Sequence, residues 1–121
     1  MDKRAGRYIV VEGNDGTGKS TQVALLADEY LRGGYEVCIV EEPGSDDPEK
    51  STPAANELRR LIKNGDLERA PEINLGLFSA ARGEIWREKI KPALDRGAIV
   101  LSARNYYSSL AYQGQIGRAH V

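Results

Sequence analysis

Short apolar runs closed by glycine or proline alternate along this chain with longer stretches of helical period. Tyr8-Ile-Val-Val-Glu12 is one such run, ended by the glycine-rich segment 13–18, and it predicts a buried strand followed by a turn. From Lys19 the period becomes helical, with Val23, Leu26, Ala27 and Tyr30 on one face, until Gly33-Gly34 stops it. Val37-Cys-Ile-Val40 is a second apolar run, punctuated by Pro43-Gly44. Strand, helix and strand within about 35 residues make a βαβ unit, whose strands run parallel.

Residues 44–53 (GSDDPEKSTP) are acidic and turn-rich and predict an exposed loop. Helical spacing resumes over 57–64 through Leu58, Leu61 and Ile62, then from Pro71 through Ile73, Leu77, Phe78, Trp86 and Ile90. Pro92 is expected to break that helix and to start a short final turn through Leu94. Ala98-Ile-Val-Leu101 predicts a third buried strand, and 106–113 the start of another helix. The expected fold is a three-layer α/β domain. Strands near 8–12, 37–41 and 98–102 share one parallel sheet, with the first helix packed on it and 13–20 at the carboxyl end of strand one. Doubly wound domains usually have five or more strands. With three candidates and a last helix barely begun, the expectation is a partial domain over 1–115. Residues 116–121 (IGRAHV) lack any period and are expected to be a non-native tail. His120 falls within it and receives no catalytic role.

Composition narrows the partners. The 121 residues carry 17 Lys+Arg against 18 Asp+Glu, a net charge of -1. That balance excludes bulk electrostatic binding of a polymeric nucleic acid, so any anion must be held by a local device. Cys38 is the single cysteine, which excludes an intramolecular disulfide framework and a cysteine-rich zinc site. No apolar run approaches the ~18 residues of a membrane span, and residues 1–7 are too polar for a secretory signal. A soluble, cytoplasmic domain with no membrane partner is expected.

The local device is Gly13-Asn14-Asp15-Gly16-Thr17-Gly18-Lys19-Ser20, a glycine, four residues, then Gly-Lys-Ser. Small residues let consecutive backbone N–H groups turn inward around a phosphate. Lys19 adds charge near the β- and γ-phosphates, and Ser20 offers a hydroxyl to Mg²⁺. The helix that starts near Lys19, with Thr21 in its first turn, aims its positive end at the same point. A bound phosphate is therefore expected, but a P-loop alone does not name a substrate.

Further motifs do. The chain resembles the thymidylate kinase family in four segments, in order, over residues 8–114. These are Glu12-Gly13-Asn-Asp15-Gly-Thr-Gly-Lys19-Ser20-Thr21-Gln22, Glu42-Pro43-Gly44, Leu77-Phe78-Ser-Ala80-Ala-Arg82, and Ala103-Arg104-Asn-Tyr-Tyr-Ser108-Ser109-Leu-Ala-Tyr112-Gln113-Gly114. The resemblance implies a P-loop NTPase-like fold, transfer of the γ-phosphoryl group of ATP to dTMP, and a homodimer. It implies Lys19, Asp15 and Arg104 as catalytic residues and Ser20 at the metal. It implies an acceptor site from Asp15 (deoxyribose 3′-hydroxyl), Glu42, Phe78 (stacked on thymine), Arg82 (base edge), Arg104 (acceptor phosphate), Ser109 and Gln113 (pyrimidine) and Tyr112 (sugar). Phe78 and Arg82 are four residues apart, so both project from one helical face.

Three positions depart from the family pattern: Glu41 for an arginine, Ala103 for an aspartate and Asn105 for a tyrosine. A P-loop arginine found in some members is Gly16 here. Ser102 or Glu12 is an expected substitute at the metal, acting through water. The alternatives to dTMP phosphorylation are a kinase for another pyrimidine nucleotide or nucleoside, and a non-catalytic nucleotide-binding relative. Because the resemblance places the lid beyond this chain, residues 1–121 by themselves are expected to bind phosphate or ATP weakly and to show little kinase activity.

Overall fold

Three strands, β1 (Arg7–Gly13), β2 (Val37–Glu42) and β3 (Ile99–Asn105), form one parallel sheet in a computed structural model that describes residues 5–13 and 18–105. Their order is β1-β3-β2. The βαβ reading of the first two strands is right about direction, but the two are not neighbours, because β3 lies between them. The reason is apolar content: Ile99, Val100 and Leu101 are wholly buried, and a parallel strand covered on both faces and both edges is where such a run is most stable.

Alternation along the strands divides the core into two. Ile99, Leu101 and Ala103, with Ile9, Val11, Val37 and Ile39, pack against Val23 and Ala27 of α1 (Lys19–Arg32). On the other face Ala98, Val100, Val40 and Tyr8 pack on α2 (Pro53–Lys63) through Ala55, and on α3 (Pro71–Ile85) through Ala81 and Ile85. Helix, sheet and helix make the three expected layers, and the expected α1 face of Val23, Leu26, Ala27 and Tyr30 is the one turned to the sheet.

Two expectations are corrected. The segment 44–53 is not an exposed loop throughout: 46–49 face water, whereas Gly44, Ser45, Ser51 and Thr52 are buried. Thr52 accepts a hydrogen bond from the Ala55 N–H at 3.1 Å and caps α2, which begins at Pro53, four residues before the expected start. The Asn56 side chain accepts from the Ser45 N–H at 2.9 Å. Gly44 must be glycine, since a Cβ would sit 2.7 Å from the Asn56 side chain. Polar capping of the segment onto α2 buries what composition suggested was exposed.

Pro92 does not break its helix either. A widened π-helical turn (Trp86–Ile90) joins α3 directly to α4 (Lys91–Asp95), with the Lys91 N–H bonding to the Trp86 carbonyl. The extra residue in that turn makes room for the ring of Pro92, whose missing N–H falls in the first turn of α4. The helix expected over 106–113 and the tail 116–121 lie outside the described residues.

Arg69 holds the connection between α2 and α3. Its guanidinium donates to the carbonyls of Ile62 (2.7 Å), Asn64 (3.0 Å) and Leu67 (3.0 Å), satisfying the end of α2, and also to the Asn74 side chain. Arg69→Ala is expected to lower stability by roughly 1–2 kcal/mol, discounting the exposed bonds. A urea unfolding midpoint that does not move would show the carbonyls to be equally well served by water.

Candidate functional site

The carboxyl ends of the three strands carry the chemistry. β1 ends at buried Gly13, and the described residues resume at Gly18, whose φ of 80° lies in the left-handed region. A Cβ there would meet nothing within 4 Å, so conformation rather than space requires glycine. α1 starts with no side-chain cap and no acidic residue in its first turn. Its free N–H groups and positive end therefore remain available to an anion. Lys19 reaches back to the end of β1, its Nζ donating to the Gly13 carbonyl at 3.3 Å. Ser20 and Thr21 are exposed at the same end. Asn14, Asp15, Gly16 and Thr17 lie outside the described residues, as do Ser109, Tyr112 and Gln113.

Register sorts the neighbouring side chains onto two faces. Val11, Ala103 and Glu41 form one row across the sheet on the α1 face. Glu41 accepts a hydrogen bond from Ser45 Oγ and, with Lys19, Ala103 and Arg59, lines a cavity of about 710 Å³. Arg59 pairs with exposed Asp46 at 2.9 Å. The next row, Glu12, Arg104 and Glu42, faces the α3 side. Ser102 and Glu12 were expected as substitutes at the metal. Strand alternation turns both away from α1: Ser102 is buried and donates to Glu42, and Glu12 stands 3.6 Å from Arg104.

Glu42 is the hub of this face. Its side chain is 1% exposed. One oxygen, Oε1, accepts from Arg82 Nε at 3.0 Å; the other, Oε2, accepts from Tyr8, from Ser102 and from Arg104 at 3.4 Å. Burial by itself pushes the Glu42 carboxyl up. The bonds from Ser102 and Tyr8, the charge of Arg104 and the bond from Arg82 outweigh it and hold the group below the usual carboxylate range. Burial lowers the Arg104 guanidinium, but Glu42 and Tyr8 more than reverse this, so its pKa is raised. Arg104 stays a cation in a half-dry setting. Arg82 is partly open to solvent, and its guanidinium carbon lies 5.9 Å from the Phe78 ring centroid. The expected one-face pair is thus in contact, within cation–π range.

The structure therefore brings together Glu42, Arg82, Arg104 and, through Arg82, Phe78, whereas Lys19 lines the cavity beside Glu41 and Glu42. Tyr8, Ser102, Ser45 and Arg59 belong to the same constellation and were not singled out as site residues for this network. The signals were present: Arg59 falls on the α2 face of Ala55 and Ile62, and Tyr8 and Ser102 are the polar members of apolar runs. Among the described residues no group of three or more His, Cys, Asp or Glu gathers as a metal site, and none is helical, long and apolar enough to cross a membrane. Two hard oxygen donors are present at this end of the sheet, the exposed Ser20 hydroxyl at the start of α1 and the Glu41 carboxylate lining the cavity. This suits an ion that keeps several waters and is bound largely through substrate phosphates.

Comparison with known proteins gives one answer. The family model described as thymidylate kinase matches residues 11–121. A thymidylate kinase from Exiguobacterium sp. strain AT1b is 40% identical over 111 residues, covering 91% of this chain and 50% of that protein. One from Exiguobacterium sibiricum is 44% identical over 110 residues, covering 90% and 49%. The crystal structure of thymidylate kinase from Ehrlichia chaffeensis superposes with a TM-score of 0.69 at 35% identity, covering 91% of this chain and 60% of that one. The chain spans about half the length of the curated relatives it matches.

Proposed function

Because the chain belongs to the thymidylate kinase family, we propose that the complete protein transfers the γ-phosphoryl group of ATP to dTMP. A phosphate oxygen of dTMP attacks the γ-phosphorus, the bond to the β–γ bridging oxygen breaks, and dTDP and ADP leave. The observation that carries this reading is the pairing of two arginines, Arg82 beside Phe78 and Arg104 on β3, with one buried carboxylate, Glu42, at the strand ends that also present Lys19. A stacking ring with a cation beside it suits a flat base, and a second cation at the sheet edge suits the monophosphate.

In such a reaction the protein positions and neutralises more than it reacts. Lys19 and the α1 N-terminus would hold the phosphoryl oxygens of ATP. Ser20, and Glu41 through water, would hold Mg²⁺, which when bound neutralises the charge developing on the β- and γ-oxygens. Asp15, Ser109, Tyr112 and Gln113 retain the roles the family implies for sugar and base, and Asn14, Gly16 and Thr17 theirs in the phosphate cradle. Glu42 acts on the acceptor through its two arginines. A cytoplasmic location and a homodimer belong to the same reading and rest on the family alone.

The test is phosphorylation by the complete protein of dTMP, dUMP, CMP and dGMP. The highest kcat/KM is expected for dTMP, and a preference for the purine would overturn the base site. Arg82→Ala is expected to raise the KM for dTMP by about tenfold to a hundredfold, the range for a lost charge-assisted bond, with the KM for ATP unchanged. Equal losses toward both substrates would make Arg82 a structural residue.

A further inference from the structure

We propose that Tyr8 and Ser102 are positioning residues for the acceptor site: their hydroxyls fix the Glu42 carboxylate so that its two oxygens set the spacing between Arg82 and Arg104. This rests on the proposed dTMP reading and extends it to residues that touch no substrate. The two arginines come from elements far apart in sequence, α3 and β3, and no described bond joins them directly. What they share is Glu42, with Arg82 on one oxygen and Arg104 on the other. A carboxylate held by only two long cations can rotate and slide. Glu42 cannot, because Ser102 on the neighbouring strand and Tyr8 on the far strand both donate to Oε2.

Tyr8 does more than donate. Its oxygen accepts from Arg104 NH2 at 3.2 Å, so the phenol bridges the anion and the cation. Burial, followed by the bond to Glu42 and its charge, pushes the Tyr8 pKa up, which keeps the phenol a donor at every working pH. The ring is itself fixed, edge-on to Trp86 with centroids 6.1 Å apart, and Trp86 opens the widened turn that follows α3. The same helical run thus carries Arg82 and braces the phenol that aligns Arg104.

The hold on Arg104 is looser than that on Arg82. Its contacts run from 3.2 to 3.6 Å, and its Nε is buried without a partner among the described residues. A guanidinium has five N–H donors, so capacity remains for a dianionic phosphate that arrives on its open side. Tyr8 and Glu42 determine where that side points.

Tyr8→Phe in the complete protein removes the hydroxyl and keeps the ring against Trp86. It is expected to raise the KM for dTMP about tenfold, the size of one lost hydrogen bond to a charged group, with kcat within about twofold and the KM for ATP unchanged. Ser102→Ala is expected to act in the same direction. In each variant the loss should appear in the KM for dTMP and not in kcat or in the KM for ATP, a split that mere loss of stability does not produce. If Tyr8→Phe fails to fold, Ser102→Ala supplies the same reading from the other donor. Wild-type turnover of dTMP with variants that lower only the melting temperature, the KM for dTMP unmoved, would overturn the positioning role and leave the proposed function standing. A wild-type protein that does not phosphorylate dTMP would overturn both.

Discussion

Lys19→Ala in the complete protein is expected to lower kcat by about 10³-fold, the upper range for removing one preorganised donor from a developing oxyanion. In the described residues the ammonium makes one long bond, 3.3 Å, to the Gly13 carbonyl at the mouth of the cavity. Little folding energy depends on it, so the variant should melt within a few degrees of the parent. The charge is needed when negative charge spreads over the phosphoryl oxygens during transfer. Its loss should therefore appear in kcat far more than in the KM for dTMP, whose described candidate contacts Arg82 and Arg104 lie on the opposite sheet face. Measured ADP release slower by less than about tenfold would mean that Lys19 does not meet the transferring group.

Glu42→Gln is expected to cost the largest stability of any single change in the described site, about 3 kcal/mol, the lower end for breaking a buried ion pair because Arg82 reaches water. The amide keeps the shape, but it leaves Arg82 without its anion and Arg104 with only the longer contact to Glu12. It also turns an acceptor-only group into one that presents N–H to Tyr8, Ser102 or an arginine. The pH dependence follows from the direction of the Glu42 shift. Its folded pKa lies below the ordinary 4.5, so the native state binds this proton less readily than the unfolded chain. The stability it contributes is complete above the ordinary value and is lost as pH falls through 4.5 towards the folded value. In wild type the unfolding midpoint should drop steeply across that acid window, and in Glu42→Gln this part of the slope should be absent. Parallel acid limbs in the two proteins would show that other carboxylates carry the transition.

Legibility differed between elements for physical reasons. The strands and α1 could be read directly, because apolar runs and helical period are local properties of the chain. Phe78 and Arg82 could be paired in advance, since four residues on a helix bring side chains together wherever the helix lies. The segment 44–53 was misread because its burial depends on Asn56 and Thr52 capping turns that composition alone makes look solvated. Pro92 was misread because a breaker in sequence can be absorbed by a widened turn.

By itself, then, the sequence determined the layers, the parallel direction of the strands, the first helix and the family. Each of these follows from period, spacing or motif within short windows. Only the tertiary structure decided that β3 lies between β1 and β2, and with it the row that sets Arg104 beside both Glu12 and Glu42. Tyr8, Glu42 and Ser102 are separated by 34 and 60 positions in the chain. No local pattern reports that they meet. They do so because the most apolar strand takes the centre of the sheet, and because the pleat sends alternate residues of all three strands to one face. A carboxylate on that face is stripped of water and must find its donors there, on the two other strands and on the helix that covers them.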